Sequence, residues 1–159
     1  MGIIYAESNL RKIPVQQRYE ICHNILKMNN DESLRGESVW ILGNLLEESL
    51  SNLLREKIED LLEDVLKNDN NVVVKHEASF QIGEHNVTRK TQSLIEASLN
   101  DPSELVRHES IEAIGLMKAF EARETLKEAL NDHNEAVRQT AQFVLKQFDR
   151  LEKIDARQI

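Results

Sequence analysis

The amino-acid sequence predicts an all-α fold, a right-handed solenoid of about four helical hairpins, and three observations carry that prediction. Only two prolines and five glycines interrupt 159 residues. Runs of β-branched residues are scarce, and apolar positions recur at the three-to-four-residue spacing of amphipathic helices. The periodic segments are cut by short polar clusters, Asn29-Asn30-Asp31, Asn68-Asp69-Asn70-Asn71, Asn100-Asp101 and Asn131-Asp132, all of them residues that favour turns and helix N-caps. Finally, one motif recurs in the same helical phase four times.

In order, the spacing predicts helices over 14–28, 32–47, 51–67, 72–84, 88–99, 102–118, 121–130 and 134–148. They pair into hairpins at 14–47, 51–84, 88–118 and 121–148 within a single domain spanning 1–159. Asp101-Pro102 followed by Glu104 reads as a helix start, with a capping carboxylate, a proline at the first helical position and an acid near the positive end of the helix dipole. The charged tail 149–159 is expected either to form a short ninth helix or to fray.

The repeated motif is Leu34-Arg35-Gly36-Glu37-Ser38, Val74-Lys75-His76-Glu77-Ala78, Val106-Arg107-His108-Glu109-Ser110 and Val137-Arg138-Gln139-Thr140-Ala141. Six residues after the third position of each, hereafter the anchor, stand Leu42, Ile82, Ile114 and Leu145. Seven residues after it stand Gly43, Gly83, Gly115 and, breaking the pattern, Lys146. The anchors 36, 76, 108 and 139 are 40, 32 and 31 residues apart, the size of a two-helix HEAT-type repeat. A HEAT-like solenoid stacks such repeats so that equivalent positions lie side by side. Ser38, Ala78, Ser110 and Ala141, and the glycines, are then expected where neighbouring second helices approach closely. Trp40, Phe80 and Phe143, each four residues past an anchor, read as core or inter-repeat packing.

The formal net charge of −8 argues against a phosphate-backbone binder and leans toward a basic partner or none, so nucleic acid is not expected. Eight acids between Glu47 and Asp69 stand against three basic residues. They read first as a solvated helix face with charge pairs such as Glu63 and Lys67, and second as a docking surface for a basic protein or an amine substrate. Lys75, Arg107 and Arg138 are expected to pair with acids of neighbouring repeats. The single cysteine, Cys22, excludes an internal disulfide and is expected to be buried and inert, which fits a reducing compartment. No apolar stretch approaches the roughly 20 residues of a membrane span. The opening Met1 to Glu7 lacks the pattern of a signal peptide. A cytoplasmic location is expected.

The chemistry-bearing residues are His76-Glu77 and His108-Glu109, in phase in adjacent repeats. Parallel helices of a stacked solenoid lie roughly 8–10 Å apart, so two imidazoles at equivalent positions can approach one ion. A carboxylate next in sequence is turned by about 100° and could complete a set of two histidines and one carboxylate, the set used for non-haem iron and oxygen chemistry. The other reading is that the pairs are inherited from a common repeat ancestor and hold nothing. His23, His85 and His133 are out of phase; His85 falls one turn or so beyond the pair, at its rim or on the surface.

The stretches from Val74 through Phe80 to Glu84, and from Leu105 through Glu112 to Gly115, resemble the deoxyhypusine hydroxylase family. The first His-Glu is followed by an aromatic residue, Phe80, and the second by an ending of the Glu-Ala-Leu-Gly kind, here Glu112-Ala113-Ile114-Gly115. The resemblance covers about residues 70 to 148. It implies a HEAT-like fold and a non-haem di-iron enzyme that uses dioxygen to hydroxylate a deoxyhypusine side chain on a translation initiation factor. Carried over residue by residue, it makes His76, His108 and Glu109 the iron ligands and leaves Glu77 to hold a cationic substrate amine or organise the surroundings of the metal. The family enzyme has two facing halves with two His-Glu motifs each. This sequence has one pair, because the flanking repeats carry Gly36-Glu37 and Gln139-Thr140. The expectation is therefore one Fe(II) per chain and a homodimer that rebuilds the dinuclear centre. The competing expectations are a non-catalytic HEAT-repeat adaptor with vestigial His-Glu pairs and, at the level of repeats alone, a protein like the bilin lyases.

Overall fold

A computed structural model describes residues 11–157 of the chain. The expectation for Met1 to Glu7, and the last two positions of the charged tail, lie outside the described residues. Eight α-helices follow in order: α1 (Val15–Met28), α2 (Glu32–Leu45), α3 (Asn52–Asn68), α4 (Val72–Glu84), α5 (Thr91–Asn100), α6 (Glu104–Leu116), α7 (Arg123–Ala129) and α8 (Glu135–Asp155). Short 3-10 turns, Thr88–Lys90 and Phe120–Ala122, lead into α5 and α7. Among the described residues there is no strand, and the helices pair as four hairpins stacked into a solenoid.

Local sequence sets the helix starts. Asp31, Asn71 and Asn134 each accept two backbone N–H bonds from the first turn of the helix they open, and Ser51 accepts from Leu54. The third hairpin departs from the expected start at Asp101-Pro102. Helix α6 begins at Glu104 after Ser103, whose side chain makes no capping bond. Asp101 is drawn away because its carboxylate accepts the Ser103 N–H at 2.9 Å and the Lys75 ammonium at 2.6 Å. At the other end of the chain the charged tail is neither separate nor frayed through Asp155. It continues α8, whose apolar stripe Val137, Ala141, Val144 and Phe148 is buried against the last hairpin, with the Phe120 and Phe148 rings 4.7 Å apart.

Two sets of contacts hold one repeat to the next. The first is a ladder of cations. Arg35 reaches Asp69, Lys75 reaches Asp101 and Arg107 reaches Asp132, in each case from a second helix to the loop of the following hairpin. The same aspartates each accept a loop N–H two residues on, so each carboxylate braces its own turn as well. Arg35, Arg107 and Arg138 also donate to the carbonyl six residues before them. Arg138 donates also to the His133 carbonyl and reaches no acid among the described residues, so the expected acid pairing holds for Lys75 and Arg107 and not for Arg138.

The second set is close helix contact. Ser38, Ala78, Ser110 and Ala141 are all within 1 % of full burial, and Ser79 and Ser110 bring their hydroxyls to 3.0 Å across α4 and α6. A methyl group built on Gly83 would stand 2.6 Å from the Ala113 side chain and 2.7 Å from its Cα. Leu42, Ile82 and Ile114 fill the core beneath at 0 % exposure, each contributing roughly 1.5–3 kcal/mol by its burial.

Trp40, Phe80 and Phe143 are not core. They are 37 %, 36 % and 66 % exposed, because four residues is about one helical turn and returns them to the anchor row, which faces away from the first helices. The acidic stretch is largely neutralised: Glu59 pairs with Arg89, Asp60 and Glu63 with Lys90, Glu63 also with Lys67, and Asp64 with Lys27. The Glu63 carboxyl is half-buried, which alone would raise it, yet hydrogen bonds from Lys90, Ser93 and Lys67 hold it down at about 2. Cys22 is 2 % exposed and burial pushes its thiol up to about 11. No helix among the described residues is long and apolar enough to cross a membrane.

Candidate metal centre

His76 and Glu77 lie in the second turn of α4, and His108 and Glu109 in the second turn of α6. The helices are offset along the stack, so the anchor of one repeat meets the residue after the anchor of the next. His76 Nε2 stands 2.9 Å from Glu109 Oε2. One repeat further on, His108 Nδ1 stands 2.7 Å from Thr140 Oγ1. One repeat back, Gly36 offers no ring to Glu77 and has open space around it.

Glu109 is the electrostatic centre of this face. It is 5 % exposed, and among the described residues no lysine or arginine pairs with it. Its carboxyl is pushed up to about 7, first by burial and then by the charges of Glu112 and Glu77, with His108 working in the opposite sense. Glu77, His108 and Glu112 thus all lie near enough to act on its charge. His108 Nε2 faces Glu112 at 3.5 Å.

Glu77 is held from behind. Its Oε1 accepts from Gln81 Nε2 at 2.8 Å, and Gln81 Oε1 is 2.9 Å from Nε2 of His85, the residue that caps the C-terminus of α4. Gln81 is 2 % exposed and lies against Gly43 of the preceding repeat. His85 is therefore neither a rim group nor a surface histidine. It is mostly enclosed, burial lowers its pKa, and it props Glu77 through Gln81. His133 is exposed and beside Asp132, and His23 stacks loosely on Tyr19, both away from the site.

Of the three residues expected to bind iron, two are in direct contact, and the third, His108, is turned toward Thr140 and Glu112. Among the described residues no three His, Cys, Asp or Glu side chains converge on one point. The donor chemistry nonetheless fits a cation. A buried carboxylate without Lys or Arg, two imidazoles from successive repeats and two further carboxylates leave the spot short of positive charge. Thr140 and Gln81 did not stand out in the sequence. Thr140 carried a usable signal, since it occupies the phase of Glu77 and Glu109, whereas Gln81 is marked only by its one-turn spacing from both Glu77 and His85.

Residues 59–146, more than half of the chain, match the family model for HEAT repeats. The chain belongs to the HEAT-repeat family. Among solved structures, this HEAT-repeat chain superimposes on human deoxyhypusine hydroxylase in complex with glycerol with a TM-score of 0.73 over 89 % of its length, at 20 % sequence identity. It spans 46 % of that chain. At this identity the likeness is one of fold. No curated protein matches the chain.

Proposed function

We propose that this HEAT-repeat protein is a non-haem iron protein of the deoxyhypusine hydroxylase type, in which His76, His108 and Glu109 hold one Fe(II) per chain and a homodimer brings two such sites together. The observation that carries the reading is Glu109, a buried carboxylate without a Lys or Arg partner, in contact with one repeat's histidine and adjacent to the next. The fold likeness to half of a deoxyhypusine hydroxylase supports it. With a carboxyl near pH 7, Glu109 gives up its proton when a cation arrives. Glu77 presents its free oxygen to an ammonium group, with Gln81 and His85 fixing its rotamer. When bound, paired ferrous ions supply the dioxygen chemistry that hydroxylates an amine-bearing side chain, one oxygen atom entering the product and the other leaving as water with electrons from an external reductant. A reducing, cytoplasmic setting belongs to the same reading.

Metal analysis of size-fractionated protein after anaerobic Fe(II) loading tests it. One iron per chain in a dimer is expected, with iron lost and the helical spectrum kept in His76→Ala and His108→Ala. Full iron in both variants overturns the ligand assignment, and iron on a monomer overturns the dinuclear centre. The exposed aromatic row of Trp40, Phe80 and Phe143 favours a second reading, a metal-free adaptor that binds a protein partner on this face. Absence of iron after loading would make it the better account.

A further inference from the structure

We propose that Thr140 is a positioning residue for His108, holding the imidazole as its Nδ1–H tautomer so that Nε2 alone is left as an electron-pair donor. The inference rests on the iron reading for its purpose and on geometry for its content. Thr140 is 9 % exposed, and its hydroxyl oxygen lies 2.9 Å from the Ala136 carbonyl and 2.7 Å from His108 Nδ1. The hydroxyl has a single hydrogen. In a helix a threonine hydroxyl characteristically gives that hydrogen to the carbonyl four residues back. One of its oxygen lone pairs then accepts a hydrogen bond from Nδ1–H. His108 Nε2 is the ring's other nitrogen, half-exposed and directed to Glu112 at 3.5 Å, outside hydrogen-bonding range.

The repeat register explains why threonine stands there. At two successive junctions the residue after the anchor contacts the anchor of the repeat before it, Glu109 with His76 and Thr140 with His108. A fourth glutamate in that phase would give His108 its own carboxylate and add a further charge to a patch that already holds Glu77, Glu109 and Glu112. A threonine keeps the hydrogen bond and omits the charge. Metal-binding histidines commonly have their other ring nitrogen fixed in this way, and losing the fixing group typically costs 10–100-fold in metal affinity.

The test uses the whole chain as wild type, Thr140→Val, which keeps the shape, and Thr140→Ser, which keeps the hydroxyl. Long-range proton–nitrogen correlation spectra of iron-free protein at pH 8 read the His108 tautomer directly. Nδ1–H is expected in wild type and Thr140→Ser. In Thr140→Val the ring is expected to shift toward the Nε2–H form that free histidine prefers. Anaerobic Fe(II) titration is expected to show about 10–100-fold weaker binding for Thr140→Val and near-wild-type binding for Thr140→Ser. The same tautomer in wild type and Thr140→Val overturns the inference, as does equal Fe(II) affinity. A wild type that shows the Nδ1–H tautomer and takes up no iron would remove the proposed function and leave the tautomer assignment standing.

Discussion

Two glycine-to-alanine substitutions should move stability in opposite directions. Gly36 lies inside α2 with nothing within 4 Å of where a Cβ would go. Alanine there gains helix propensity, about 1 kcal/mol, and meets no obstacle. Gly83 is the penultimate residue of α4, so its substitution gains at most the same term. The new methyl, however, stands 2.6 Å from the Ala113 Cβ and 2.7 Å from its Cα. Carbon atoms pack at about 3.5–4.0 Å, so α4 and α6 must separate by roughly an ångström, and the obstacle is backbone that cannot swing aside. Overpacking of this kind costs about 1–3 kcal/mol, which exceeds the propensity gain. For a chain of this size each kcal/mol moves the melting temperature by about 2–4 °C. Thermal or urea unfolding should place Gly36→Ala above wild type and Gly83→Ala below it. The same separation pulls His76 from Glu109, so Gly83→Ala should also weaken Fe(II) binding. Wild-type or higher stability in Gly83→Ala would refute the argument that the second helices are stacked to the limit of their side chains.

Glu109→Gln should stabilise the metal-free protein at pH 8 while removing iron uptake. The folded carboxyl titrates at about 7, above the ordinary carboxylate value. Between that ordinary value and 7 the folded state holds the extra proton, so stability declines as pH rises through the window and stays low above it. The gain is at most about 3 kcal/mol, and a variant no more stable than wild type at pH 8 counts against it. Arg107→Met leaves the enclosed Asp132 carboxylate without its guanidinium partner and should cost about 3–5 kcal/mol in urea unfolding, with part of it recovered by adding Asp132→Leu, which also gives up the Asn134 N–H bond. A loss below 1 kcal/mol would mean that the ladder is ornamental. Lys118 holds a φ of 52° at the turn after α6, where its counterpart one repeat earlier is Asn86 at 50°. Lys118→Gly should raise stability by roughly 1 kcal/mol, visible as a higher melting temperature.

The repeat was legible because it is written in covalent spacing. Anchors, glycines and core positions recur at intervals that a helix converts directly into faces. Seven helices ended within a few residues of their expected bounds, and the eighth overran to Asp155, where Arg123 of α7 pairs with Asp149 and Glu152 along the added turns. What spacing alone did not disclose is the offset between neighbouring helices. Equivalent residues were expected to meet, His76 with His108, whereas the stack pairs each of these anchors with the residue after the next anchor. That shift put Thr140 beside His108 and let Glu109 take the contact with His76. It also hid the role of Asp101, whose value as an inter-repeat acceptor outweighed its value as a cap. The aromatic row was misjudged for a related reason. Helical periodicity says that Trp40, Phe80 and Phe143 share a face, and only the packing says that nothing among the described helices covers it.

The ladder has a direction. Each cation reaches forward to the next loop, so a repeat that melts strips its predecessor of a counter-charge and its successor of the cation on its loop aspartate. The His76–Glu109 contact spans the second and third hairpins, with a whole hairpin on either flank as a sacrificial buffer. Fraying at the ends therefore leaves the centre of the stack assembled, and the residues with the most chemistry occupy the last part of the molecule to come apart.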